Sequence, residues 1–186
     1  MTLALAALAA GTVHAAEPPL PFFVEIEARF DLLDQTGARR TEADFAGRPM
    51  LIFFGYANCE AICSVALPAI GEALDLLGDT DLAAMMITVD PAFDTTEALA
   101  EAMPLYHDDL IGLTGSEAAL EAARSVFQVE REVIFHTIEG TPVYSHGSFI
   151  YLTDGTGRVE SMLPPILAPE RIAEIIRDRT TSGALD

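Results

Sequence analysis

Cys59 and Cys63 are the only two cysteines in the 186-residue chain, and they stand four positions apart. Directly before them runs the apolar segment Leu51-Ile-Phe-Phe-Gly55, which reads as a buried strand. An apolar helical pattern follows from Val65. A strand that delivers two thiols to the start of a helix puts them where the helix dipole and a loop environment favour thiolate. The competing reading is a structural disulfide. Closing so short a loop constrains the unfolded chain by only about 2 kcal/mol, and a domain of this length does not depend on such a staple. The pair therefore points to redox or metal chemistry.

The spacing bears on which of the two. On a regular helix, positions i and i+4 carry Cβ atoms about 5–6 Å apart, whereas a relaxed disulfide wants roughly 3.8 Å. One metal ion with bonds of about 2.3 Å to each sulfur spans that gap readily. CxxxC thus leans toward metal, with the oxidised state still within reach. Soft thiolates select Cu(I), zinc or iron–sulfur clusters. Two cysteines are too few for a Cys-rich site, so a third ligand must come from elsewhere, with histidine the first choice. Four histidines are present. His14 lies in a leader-like segment, His107 sits among acids in what reads as a solvated loop, and His136 fits the outward side of an alternating strand. His146, in Tyr144-Ser-His-Gly-Ser-Phe-Ile-Tyr-Leu152, stands at the mouth of a strand. A lone histidine is more often structural than ligating, so these residues by themselves leave the third ligand open. Met85 and Met86 are neighbours on a strand and face opposite ways, which fits packing better than a thioether site. Asp90 and Asp94 read as a strand end and a helix cap.

The elements that must position these residues alternate between strand and helix. Ala28–Leu33 with the Gln35-Thr-Gly37 turn predicts an N-terminal hairpin. Met50–Phe54 is the first central strand, and Cys63–Leu77 the helix that carries the second thiol. Leu82–Val89 reads as a strand, and Asp94 with Glu97 as the cap of a helix over Thr95–Met103. Leu110–Leu113 is a short strand, and Thr114 with Glu117 a capping box for a helix ending at Phe127. Gln128–Phe135 and Ser148–Leu152 are further strands, joined by a loop containing Gly140 and Pro142. Val159–Leu163 and the helix Pro169–Arg179 complete the order. Such alternation predicts an α/β fold with a parallel or mixed sheet.

Four segments together resemble the Sco/SenC group of copper-binding, thioredoxin-like assembly proteins. They are Phe54-Gly-Tyr-Ala-Asn-Cys-Glu-Ala-Ile-Cys63, Thr88-Val-Asp-Pro91 with Asp94-Thr95, Leu113-Thr-Gly115, and His146 with Ser148-Phe-Ile-Tyr-Leu152. They occur in that family's order and spacing over Phe30 to Arg177. The resemblance implies a thioredoxin-like fold with a central mixed sheet flanked by helices and an N-terminal β-hairpin extension. It also implies that Cys59, Cys63 and His146 bind one copper ion, as Cu(I) or Cu(II), for delivery to the binuclear copper centre of cytochrome c oxidase. The partner so implied is the copper-site subunit of that oxidase or another copper acceptor. The same two cysteines serve an alternative, a thiol–disulfide oxidoreductase in which Cys59 attacks a partner disulfide and Cys63 resolves it. A weaker third reading is peroxide reduction or redox sensing through a sulfenic acid. The chain departs from the family at four places, one of them the turn Asp154-Gly155 where the family often has Asp-Pro. Glu60 and Ser64 stand where proline follows each cysteine, which softens the helix start. Ser145 stands where an aspartate precedes the histidine, and serine tunes an imidazole only weakly.

Composition sets the remaining bounds. All 10 basic residues are arginines against 29 acids, a net charge of −19, which disfavours nucleic acid and anionic membrane surfaces. A basic protein face or a metal cation is electrostatically acceptable. Leu3–Ala10 followed by Gly11-Thr-Val-His-Ala-Ala16 reads as a signal peptide over 1–16, or a truncated anchor whose basic n-region lies upstream of Met1. Residues 17–27, with Pro18, Pro19 and Pro21, read as a linker, 28–180 as the thioredoxin-like copper-binding domain, and 181–186 as a tail. The expected location is periplasmic or otherwise exported, with a membrane tether as the variant, and the expected state is a monomer. Glycine-rich phosphate loops, serine-nucleophile elbows and HExxH helices are absent from the sequence.

Overall fold

Two six-residue runs without a polar gap dictate the centre of the molecule. Met50–Gly55 (β3) and Ala83–Thr88 (β4) are buried at every position in the computed structural model, which describes residues 25–57, 62–138 and 140–182. Strands covered on both faces read as continuous apolar runs and belong in the parallel heart of a sheet. They pair in parallel from Met50 opposite Ala83 to Gly55 opposite Thr88. The short strand Ile111–Thr114 (β5) extends β4, also in parallel.

The flanking strands are antiparallel, so the sheet is mixed. Asp31–Asp34 (β1) and Arg39–Thr41 (β2) form the expected N-terminal hairpin, with β1 laid against β5. Its turn is held by Asp34, whose carboxylate accepts from the Thr36 and Ala38 amides and from Arg40. On the other side, Ile150–Thr153 (β8) pairs with β3 and Val159–Leu163 (β9) with β8. The described strands of the sheet run in the order β2-β1-β5-β4-β3-β8-β9. Four helices lie among the described residues: Cys63–Leu77 (α1), Thr96–Ala102 (α2), Glu117–Phe127 (α3) and Pro169–Ser182 (α4). Helices α1 and α4 pack together, while α2 lies on β5 and α3 on β1.

Three expectations change. The segment after Phe135, read as a loop, folds back as a strand. Arg131–His136 (β6) and Pro142–His146 (β7) make a separate two-stranded sheet outside the main one. Pro142 is tolerated because it opens its strand. Thr114 does not cap α3; it ends β5, and Ser116 is the cap, accepting from the Ala119 amide at 3.2 Å. Asp94 does not cap α2 either. Thr95 does, accepting from the Ala98 amide, and the Asp94 side chain turns inward instead. No helix of the described residues is long and apolar enough to cross a membrane.

Candidate metal and thiol site

The site begins where β3 ends. Gly55 closes the strand, Tyr56 and Ala57 lead into the loop, and the chain is described again from Ile62, immediately before α1. Cys59 and the family-variant position Glu60 lie in residues 58–61, outside the described residues. Cys63 is the first residue of α1 and is buried. Its place at a helix N-terminus matches the expectation, since the dipole there stabilises developing negative charge on sulfur. The space for the thiol is made by Gly55. A Cβ there would stand 3.1 Å from Cys63 Sγ and 2.7 Å from Cε1 of the buried Phe53.

Below the loop lies a carboxylate that sequence reasoning assigned elsewhere. Asp94 is 1% exposed, and its Oδ2 accepts from the Ala57 amide at 3.1 Å and from the Thr88 hydroxyl at 2.6 Å. Thr88 Oγ1 accepts in turn from the Asp90 amide at 2.9 Å. These bonds tie the start of the thiol loop to the ends of β4 and α2. Burial is the main cause that raises the Asp94 pKa to about 6, with the charge of Asp90 adding to it, while the Thr88 and Ala57 hydrogen bonds pull the other way. Burial also raises Asp90, opposed by the hydroxyl of Tyr144 and the charge of Arg131. No local pattern marked Asp94, because its partner amide lies 37 residues back in the chain.

His146 arrives from the β6–β7 hairpin. It is the last residue of β7 and half-buried, and its ring stands 6.0 Å from that of Tyr56 at 71°. Tyr56 also meets Tyr144 edge-on at 5.6 Å. His146 therefore lies beside the strand end from which the thiol loop departs. Its Nδ1 is 3.0 Å from the Gly147 carbonyl oxygen. A carbonyl only accepts, so Nδ1 is the donor in that bond, and in the neutral ring the lone pair then sits on Nε2, where a metal would take it. This is how metal-binding imidazoles are oriented when the other ring nitrogen is spoken for.

The remaining sequence candidates fall away from this place. His107 is more covered than a solvated loop suggests, with its side chain 18% exposed; Nδ1 accepts from the Asp109 amide at 3.0 Å and Nε2 lies 3.6 Å from Asp75. His136 is exposed at the far end of β6, opposite Pro142. Met85 and Met86 are both fully buried in β4, as packing requires. His14 is outside the described residues. Among the described residues no group of three or more His, Cys, Asp or Glu side chains could by itself hold a metal ion. Ser145 is exposed, while Tyr144 and His146, two apart, share the other face of the strand. Sequence reasoning also passed over Tyr144 and Arg131. Period-two alternation would have found Tyr144 as a neighbour of His146, had this segment been read as a strand.

Comparison with known proteins shows the family and the fold. The SCO1/SenC family profile matches residues 20–181. An SCO2-like protein of Rickettsia conorii is 31% identical over 159 residues, spanning 83% of this chain and 77% of its own. The structure of Bradyrhizobium japonicum ScoI with copper bound superposes with a TM-score of 0.76 at 31% identity, over 82% of this chain and 98% of that one. A structure described as identifying a disulfide switch in BsSco, a member of the Sco family of cytochrome c oxidase assembly proteins, matches at 25% identity. Its TM-score is 0.65, over 88% of this chain and 96% of that one. The mixed sheet with its flanking helices is thus the expected thioredoxin-like α/β fold, and this chain belongs to the SCO1/SenC family.

Proposed function

We propose that this protein is a copper metallochaperone that holds one copper ion through the thiolates of Cys59 and Cys63 and the imidazole of His146. The cargo would pass to the binuclear copper centre of cytochrome c oxidase. The observation that carries the reading is the meeting of His146 and Tyr56 at the end of β3, with Cys63 opening the helix that follows. Copper bound to the Bradyrhizobium relative and the membership of BsSco in an oxidase-assembly family support it. Two thiolates and one imidazole form a soft, low-coordinate set suited to Cu(I). Transfer would proceed by ligand exchange, an incoming thiolate of the acceptor binding the copper before one of these three ligands leaves. Export, by signal peptide or tether, belongs to the same proposal.

A second reading has its own support in the disulfide switch of the BsSco neighbour. The same cysteines would then act as a thiol–disulfide pair, with Cys59 attacking a partner disulfide and the buried Cys63 resolving the mixed disulfide. Anaerobic copper titration of the reduced full chain separates the readings. The chaperone requires one copper per chain with sulfur ligation, loss of tight binding in His146→Ala, and an undiminished rate of Cys59–Cys63 disulfide formation in that variant. Copper binding as tight as the parent's in His146→Ala, together with much slower thiol exchange, would assign the protein to the oxidoreductases.

A further inference from the structure

Among the described residues, the strand pair that carries His146 shares no backbone ladder with the main sheet. Apart from its short chain connections to α3 and β8, its placement beside the end of β3 rests on side chains. Arg131, the first residue of β6, stands directly opposite His146 in the register, and Val133 opposite Tyr144. Directly opposed residues of an antiparallel pair share a face, and long side chains there reach their diagonal neighbours. Arg131 does so, setting its guanidinium 4.6 Å from the centroid of the Tyr144 ring. Its Nη1 also donates to both carboxylate oxygens of Glu117 on α3, each at 3.0 Å. The Tyr144 hydroxyl donates to Asp90 Oδ1 beyond the end of β4 at 3.2 Å. The Tyr144 ring meets Tyr56, which meets His146.

Besides its ring contacts with Tyr56, the hairpin is fastened by hydrogen bonds to α3 and beyond the end of β4, and both of these pass through one stacked pair. We propose that Arg131 and Tyr144, anchored on Glu117 and Asp90, form the clamp that positions His146 beside Tyr56 at the end of β3. Neither is a ligand; both are positioning residues for the metal-holding imidazole, and the inference rests on His146 being one. Arg131 suits the role because one planar cation stacks on a ring and bonds a carboxylate at the same time. Lysine would keep the charge near Glu117 and lose the stack. Phenylalanine at 144 would keep the stack and lose the bond to Asp90.

The test uses the full reduced chain with Arg131→Gln, Arg131→Lys and Tyr144→Phe, and the probe is Cu(I) delivered against a chromophoric chelator. Loss of an outer-shell partner lowers metal affinity by about 10- to 100-fold. Arg131→Gln should reach that range, with Arg131→Lys and Tyr144→Phe each intermediate, while the rate of Cys59–Cys63 disulfide formation stays within about twofold of the parent's. In a His146→Ala background the Arg131→Gln loss should vanish, since the clamp acts through the imidazole. An equal loss in that background would overturn the clamp and make Arg131 a general fold residue. A parent that binds no Cu(I) would sink the copper reading, and the clamp is then decided by NMR of the metal-free chain. There, Arg131→Gln should shift the His146 imidazole resonances and speed amide exchange across 131–146. Unchanged resonances and exchange would refute the positioning role.

Discussion

Asp94→Asn should change the pH dependence of stability in a direction, and by an order of magnitude, set by the burial of this carboxyl. The carboxyl is 1% exposed, and its pKa stands at about 6 against an ordinary value of 3.8. Between those two values the folded protein holds the proton and the unfolded chain does not, so stability falls as pH rises through the window. At neutral pH both states are ionised and the cost of the buried charge is fully present. At about 1.4 kcal/mol per pH unit, the whole rise corresponds to about 3 kcal/mol, of which about 2 kcal/mol falls between pH 4 and pH 7. Asparagine does not titrate. Its carbonyl oxygen can take the place of Oδ2 and accept from Thr88 and Ala57, at the constant cost of an amide group facing the Ala57 N–H, about 1 kcal/mol. The stability of the variant relative to the parent should therefore improve by about 2 kcal/mol from pH 4 to pH 7. The assay is urea denaturation of the reduced protein at several pH values across that range, comparing midpoints at equal slope. Taking the difference removes the opposite trend from Asp34, Asp154 and Glu117, whose carboxyls are held below their usual range. A difference constant within about 0.5 kcal/mol over the range would mean that burial does not govern Asp94.

Three further substitutions probe the packing around the site. Gly55→Ala puts a methyl group 2.7 Å from the Phe53 ring and 3.1 Å from Cys63 Sγ; it should cost about 1–3 kcal/mol in denaturant unfolding and alter the rate at which Cys63 reacts with a thiol reagent. Gly71→Ala is harsher, because its Cβ would lie 2.2 Å from the Tyr106 carbonyl oxygen, a backbone atom that cannot rotate away. A loss of about 3 kcal/mol or more in thermal or urea unfolding is expected there, and a loss below about 1 kcal/mol would mean that the turn after α2 yields easily. Ser145→Asp supplies a carboxylate next to His146 in the chain but places it on the exposed face of β7. Copper affinity in chelator competition should stay within about threefold of the parent's, and a gain of tenfold or more would show that this face approaches the metal.

The sequence by itself determined the frame. Two uninterrupted apolar runs could only be central strands, and the structure sets β3 and β4 side by side with every residue buried. The helix predicted over Cys63–Leu77 has those bounds, because its apolar period and its end at Gly78 are local signals. The thiol pair stood out for the same reason, as a short spacing at a strand–helix junction. Resemblance in four ordered segments brought in His146, which its own surroundings left open. The tertiary structure alone decided how the histidine is delivered. Residues 137–146 carry Gly140 and Pro142, whose breaker signals read locally as a loop despite Val143 and Tyr144, and only pairing with β6 makes Pro142–His146 a strand. Asp94 misled for a related reason. An aspartate before a helical pattern is the ordinary sequence sign of a cap, and Thr95 beside it is an equally good one. The Ala57 amide, from just beyond β3, and the Thr88 hydroxyl, from the end of β4, draw the carboxylate inward and leave the cap to threonine. Contacts between segments 37 or 54 residues apart have no local periodicity to betray them, which is why the positioning of the site belongs to the fold.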